Sequence, residues 1–190
     1  VSNCQNDLPI YSDINKAIEE LGMKPKFLVI GLSFHGGQLP ESHRGDVKQA
    51  LKAGIHVVSG LHQLLGDDPD FAEIAKEFGS IIYDIRRPKE TKDLSFWSGK
   101  VMDLETPRSA VLGTDCAHGK RTTCQFLIQA CYESNIKAEI IYTGQTGFLQ
   151  GFKHRFLFDA TLNDFVTCDL ANAIMECDAI SRPEIMLIEG

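Results

Sequence analysis

The chain has 190 residues, enough for one sizeable hydrophobic core or two small ones. Its apolar share of 43% and charged share of 24% are ordinary for a globular protein. A net charge of -7 argues against a nucleic-acid binder, which shows a basic face, and no apolar run approaches transmembrane length.

An acidic chain that binds anionic phosphates must do so locally, with backbone donors and a few placed cations. The six cysteines form no C-x-x-C pair and read as reduced, mostly buried thiols, so no structural zinc is expected. The cytoplasm is the default compartment. Val1 opens without an initiator Met, and Ile185 to Gly190 reads as a buried strand that stops where a functional loop would begin. The expectation is an internal fragment of a longer protein.

In chain order, Ser12 can cap a helix over residues 13–21, ended by Gly22 and Pro25. Phe27 to Ile30 is a continuous apolar run, as expected of a strand buried on both faces. A Gly-rich loop to Pro40, a helix over 41–53 and a strand over 55–58 follow. The turn 60–68 leads to a helix over 69–78 with Pro at its first turn, then a strand over 80–85. Residues 86–107 are irregular and hold two of the seven prolines, which marks a connection.

The alternation then restarts. A strand over 109–112, a loop, a helix over 120–134, a strand over 138–142 and a second Gly-rich loop over 143–151 come in turn. A short strand at 156–158, a helix over 162–177 and a final strand over 185–188 complete the pattern. Strand–helix alternation at this spacing predicts parallel sheets and an α/β class.

The central motif is G-T-D-C-A-H-G-K-R-T-T (113–123), between a strand and a helix. Such a loop turns backbone N–H groups onto a phosphate, and the helix adds its N-terminal donors. Gly113, Thr114, Asp115, Cys116, Gly119, Lys120, Arg121, Thr122 and Thr123 are the candidate phosphate contacts. Lys120, expected to face solvent without a ligand, brings a full charge, and the hydroxyl of Thr122 or Thr123 can hold phosphate or phosphate-bound Mg²⁺. The match to G-x-x-x-x-G-K-S/T is displaced: Thr114 stands where the first glycine belongs, and Arg121 follows the lysine.

This spacing resembles the G-T-D-x-x-x-G-K loop of dethiobiotin synthetase. Leu187-Ile-Glu-Gly190 matches the strand-end L-x-E-G of the same enzymes, which makes Glu189 a candidate metal contact together with Thr122 if Mg-nucleotide binds. Gln145 and Thr146, in G-Q-T-G (144–147), follow a predicted strand and can hydrogen-bond a substrate at the carboxyl edge of the sheet. Asp159 and Asp164 are further acids nearby. In the first segment, His35 and His62 follow two strands and are candidate general bases. Arg86 and Arg87, ending a third strand, can clamp a carboxylate.

Taken together, G-L-H-Q-L-L-G-D-D (60–68), D-I-R-R-P (84–88), the loop 113–123, G-Q-T-G and L-I-E-G resemble a bacterial and archaeal family long described only as a domain of unknown function. Some of its members are described as D-glutamate N-acetyltransferases. The resemblance implies a Rossmann-like domain over 1–88, a linker over 89–107 and a P-loop domain over 108–190. It also implies acetyl transfer from acetyl-CoA to the amine of D-glutamate, with the coenzyme phosphates at the P-loop, the amino-acid carboxylates at Arg86 or Arg87, and His62 or His35 as base. An ATP-dependent ligase or kinase of the dethiobiotin synthetase type, using Mg²⁺, and a nucleotide-binding regulator without catalysis stay open. The expected partner is a small-molecule substrate, with no nucleic acid and no membrane; a homo-oligomer stays open.

Overall fold

A computed structural model of the chain describes residues 8–115 and 118–190. They form two compact units that divide between Ile85 and Arg86, each with a three-stranded parallel sheet.

The first unit contains α1 (Ile14–Leu21), β1 (Phe27–Ile30), α2 (Glu41–Lys52), β2 (His56–Ser59), α3 (Pro69–Phe78) and β3 (Ile82–Asp84). Its sheet runs β1-β2-β3. The cap of α1 is Asp13 rather than Ser12: Asp13 accepts from the Lys16 N–H at 2.9 Å, and the Ser12 hydroxyl donates to Asp13 at 3.1 Å. A carboxylate is favoured over a hydroxyl beside the positive end of a helix, which moves the start by one residue. α3 begins as its sequence dictates, with Pro69 in the first turn behind the Asp68 cap, and ends at Gly79. Val47, Leu51, Ile55, Val57, Leu65 and Phe71 form the centre of this core.

One expectation fails here. Leu28 and Ile30 pack on the core, but Phe27 is 44% and Val29 51% exposed. Alternate strand residues point to opposite faces, and among the described residues only one face of this sheet is covered. On the other, the rings of Phe27 and Tyr83 flank His56 with centroids 5.6 and 6.2 Å from it.

The second unit contains β4 (Arg108–Val111), α4 (Lys120–Glu133), β5 (Ala138–Ile141), α5 (Gln145–Leu149), α6 (Val166–Ser181) and β6 (Ile185–Glu189). The last strand lies in the middle, in the order β4-β6-β5. Val111 is in register with Glu189, and Ile141 with Ile188, so three strand ends meet at one edge.

The expected Gly-rich loop after β5 holds α5 instead. A side chain at Gly147 would begin 2.5 Å from Tyr142 Cβ, so this glycine lets α5 lie directly on the buried tyrosine. The expected strand at 156–158 is a single bridge between Tyr142 and Arg155, followed by a 3-10 turn at Phe158–Ala160. Asp164 lies in another 3-10 turn, Asn163–Phe165, which delays the start of α6. The stretch expected as a linker packs within this unit: Val101 is buried, Lys89 pairs with Asp169, and Thr106 donates to Asp178 at 2.5 Å. Cys124, Cys168 and Cys177 are buried free thiols. Among the described residues no helix is long and apolar enough to cross a membrane.

Candidate functional site

The chain leaves β4 at Val111 and turns through the glycine-bearing loop into α4. Gly119 has φ +84, a left-handed conformation that strains any other residue, and stands as the N-cap of α4. The helix therefore opens with the N–H groups of Lys120, Arg121 and Thr122 at the loop. Thr114 Oγ1 and His118 Nδ1 share a hydrogen bond of 3.1 Å. Cys116 lies outside the described residues. Lys120 is half-buried rather than solvent-facing: its ammonium donates to the Asp115 carbonyl at 3.0 Å, and its stem passes 3.2 Å from where a side chain on Gly113 would begin.

Arg121 reaches a different partner. Its Nε lies 3.2 Å from Glu189 Oε1, and its Nη2 lies 3.3 Å from where a side chain on Gly144 would start. One guanidinium thus reaches the end of β6 and the N-cap of α5 from the first turn of α4. Glu189 is 6% exposed, and its Oε2 is buried without a hydrogen-bond partner among the described residues. Thr122 and Thr123 are exposed. Thr122 and Glu189 were expected to share a metal ion if Mg-nucleotide binds; Thr122 is exposed and Glu189 is buried at the end of β6. That carboxylate faces the Arg121 guanidinium.

Beside the loop lies a cavity of about 460 Å³. Leu112, Phe158, Leu170 and Ile188 supply apolar walls, and Glu189 and Asp159 are its carboxylates. Thr143 and Gly144 line it, while Gln145 and Thr146 begin α5 behind them, partly buried. Arg86 Nη1 lies 2.5 Å from Asp159 Oδ2, so Arg86 meets the cavity through an acid. Arg87 lines a second cavity of about 300 Å³ with Lys89, Lys153 and Arg155. Below the loop, burial pushes the Cys124 thiol up to about 11, with the charge of Glu189 adding to it, and burial pushes Tyr142 up to about 12. Both are neutral supports for the floor.

The other signature residues of the sequence are scaffolding in the first unit. Asp84 accepts from the N–H groups of Leu65 and Gly66, each at 2.8 Å. Gln63 accepts from the Leu39 N–H at 2.8 Å, and the N–H groups of His62 and Gln63 donate to the Gly37 carbonyl at 2.9 and 3.1 Å. Asp68 caps α3 and takes a bidentate contact from Arg44 at 2.7 and 3.2 Å; that pair holds the Asp68 carboxyl below its usual range. The loops bearing His35 and His62 are therefore tied together at one sheet edge, with both imidazoles exposed.

Sequence reasoning did not find the Arg121–Glu189 contact, nor Lys89, Lys153, Arg155 and Asp169 around the second cavity. The available signal was Lys153-His-Arg155, two cations alternating with a buried histidine in an acidic chain.

Residues 1–88 match a family described as a domain of unknown function (DUF1611_N), a Rossmann-like domain, and residues 95–190 match its partner (DUF1611_C), a P-loop domain. Over 124 residues the chain is 34% identical to a protein from Tritonibacter scottomollicae and 32% identical to one from a Pseudoalteromonas species, both named D-glutamate N-acetyltransferase. Each match takes 65% of this chain and 36% of the relative, so the chain spans about a third of the length of these curated relatives. A crystal structure of a DUF1611 family protein from Anabaena variabilis aligns with a TM-score of 0.81 at 33% identity, over 96% of this chain and 51% of that one. With a Rossmann-like domain followed by a P-loop domain, matched along almost all of its length, the chain belongs to the DUF1611 family.

Proposed function

We propose that the protein transfers an acetyl group from acetyl-CoA to the amine of D-glutamate or a similar amino acid. The observation that carries this reading is the juxtaposition of a phosphate-type loop with a mostly apolar cavity whose wall holds a buried carboxylate. The loop and Lys120 suit the phosphates of the coenzyme. Leu112, Phe158, Leu170 and Ile188 suit its uncharged thioester arm. The names of the bacterial relatives support the acceptor.

In the transfer, the acceptor nitrogen bonds to the acetyl carbon as the thioester C–S bond breaks and its electrons leave with sulfur. The nitrogen's proton passes to a base. Glu189 Oε2, buried in the cavity wall, is our first choice for that base. His62 and His35 are the alternatives in the first unit. Arg86, held by Asp159, and Arg87 are the cations proposed for the acceptor's carboxylates.

The second reading is an ATP-dependent ligase or kinase, favoured by the dethiobiotin-synthetase-like spacing of the loop. The guanidinium against Glu189 counts against its metal. The two separate in one assay: the full-length protein is given acetyl-CoA and D-glutamate, and free thiol is followed. We expect D-glutamate-dependent thiol release, reduced about 100-fold or more in Glu189→Gln, with coenzyme affinity weakened about tenfold or more in Lys120→Ala. D-glutamate-dependent ATP turnover without thiol release would overturn the proposal. Loss of turnover in His62→Gln but not in Glu189→Gln would move the base to His62.

A further inference from the structure

We infer that Arg121 is a positioning residue for the transfer: it holds one oxygen of Glu189 behind the cavity wall, leaving the other for the acceptor amine, and takes no part in binding the coenzyme phosphates. This role rests on Glu189 being the base proposed above.

The backbone at Glu189 is fixed by the sheet. β6 is the central strand, Glu189 is in register with Val111, and the Gly190 N–H donates to the Val111 carbonyl at 3.1 Å. The side-chain torsions of Glu189 alone then decide where its carboxylate sits, and a long side chain without a partner samples several rotamers.

Arg121 supplies the restraint. Its Nε lies 3.2 Å from Glu189 Oε1, with the arginine side chain 29% and the glutamate side chain 8% exposed. Little water reaches that contact to weaken it. The guanidinium is confined in turn by the N-cap of α5, where a side chain on Gly144 would begin 3.3 Å from Nη2. Gly144 and Glu189 both line the cavity of about 460 Å³, and Arg121 is not among the described residues that do. The guanidinium therefore backs the wall without entering it, placed to act through Glu189 rather than on a ligand.

Charge and alignment agree with this. Cys124 and Tyr142, the ionisable neighbours below, stay neutral, so the positive charge facing the carboxylate is that of Arg121. Nε is near enough to pair with Oε1 but not aligned for a hydrogen bond, and neither Nε nor Oε2 has a hydrogen-bond partner among the described residues. Folded proteins leave few buried polar atoms in that condition. Contacts around a reacting group are often loose without substrate and tighten when it binds. Adjacent positions thus divide the work: the Lys120 ammonium stays on the loop at the Asp115 carbonyl, and the Arg121 guanidinium reaches away to the strand end.

The test is steady-state kinetics of the full-length protein with acetyl-CoA and D-glutamate, following thiol release. Arg121→Ala should lower kcat about 30-fold and leave the KM for acetyl-CoA within about twofold. Arg121→Lys keeps the charge without the planar fork, and its kcat should fall only about fivefold, again with KM unchanged. In a Glu189→Gln background, Arg121→Ala should change kcat by less than about threefold, because a residue that acts through Glu189 has nothing left to act on. Circular dichroism of each variant separates lost positioning from lost folding; should Arg121→Ala unfold, Arg121→Lys carries the comparison in both backgrounds. A raised KM for acetyl-CoA with kcat unchanged would make Arg121 a phosphate contact and overturn the inference. So would an equal loss of kcat in both backgrounds, which would make the pair a structural salt bridge. Either result leaves acetyl transfer and Glu189 standing. No thiol release from the wild type, or full kcat in Glu189→Gln, would remove that reading and the role of Arg121 with it.

Discussion

Arg121 stands at the second position of α4, where a P-loop usually carries a hydroxyl, and it spends its charge on Glu189. The loop itself was legible in the sequence because its donors are local: Gly113, Gly119 and Lys120 act within one turn of chain. The partner of Arg121 was not, because Glu189 arrives only when β6 inserts between β4 and β5. His154 is another residue whose setting no local pattern reveals. It is 2% exposed, Nε2 shares a 2.7 Å hydrogen bond with Ser181, and Nδ1 is buried without a partner among the described residues. Burial lowers its pKa from 6.5; Glu139 opposes this, Lys153 adds to it and Glu176 opposes it least. The folded state therefore holds His154 neutral while the unfolded chain takes up a proton. Stability should fall as pH drops below about 6.5, by up to about 1.4 kcal/mol per pH unit. Denaturant melts between pH 7.5 and 5 measure this. A stability that stays level over that range would contradict a neutral buried imidazole.

Among elements, helix ends were the best-read features, since α3 carries its own punctuation in Asp68, Pro69 and Gly79. The second Gly-rich loop was misread because α5 is five residues long and held by packing on Tyr142 rather than by propensity. The family signature at Asp84 also changes meaning at this scale. Its carboxylate joins β3 to the backbone N–H groups of Leu65 and Gly66, so it secures the loop that carries His62. Asp84→Ala strands two donors. It should cost about 2–4 kcal/mol of unfolding free energy in urea, with the m-value unchanged. A loss under about 0.5 kcal/mol would mean that water replaces the carboxylate without penalty.

At the scale of the whole molecule, alternation of strands and helices predicted parallel sheets, and both sheets are parallel. Strand order was beyond a periodicity argument, because apolar runs say that a strand is buried and not which strand lies beside it. The second cavity, lined by Arg87, Lys89, Lys153 and Arg155, has a kinetic consequence of its own. Its four cations face only two carboxylates, so the remainder of a chain with net charge -7 is more acidic still. An anion approaching from solution meets a repulsive field first and an attractive cleft last. Added salt screens the long-range repulsion as well as the short-range attraction. The association rate for D-glutamate, the acceptor proposed to meet Arg87, should therefore rise with ionic strength over roughly the first 0.1 M, while its residence time shortens. Stopped-flow traces at several salt concentrations would read both, and an association rate that falls with salt would mean that the cleft, not the body of the protein, sets the field an incoming anion feels.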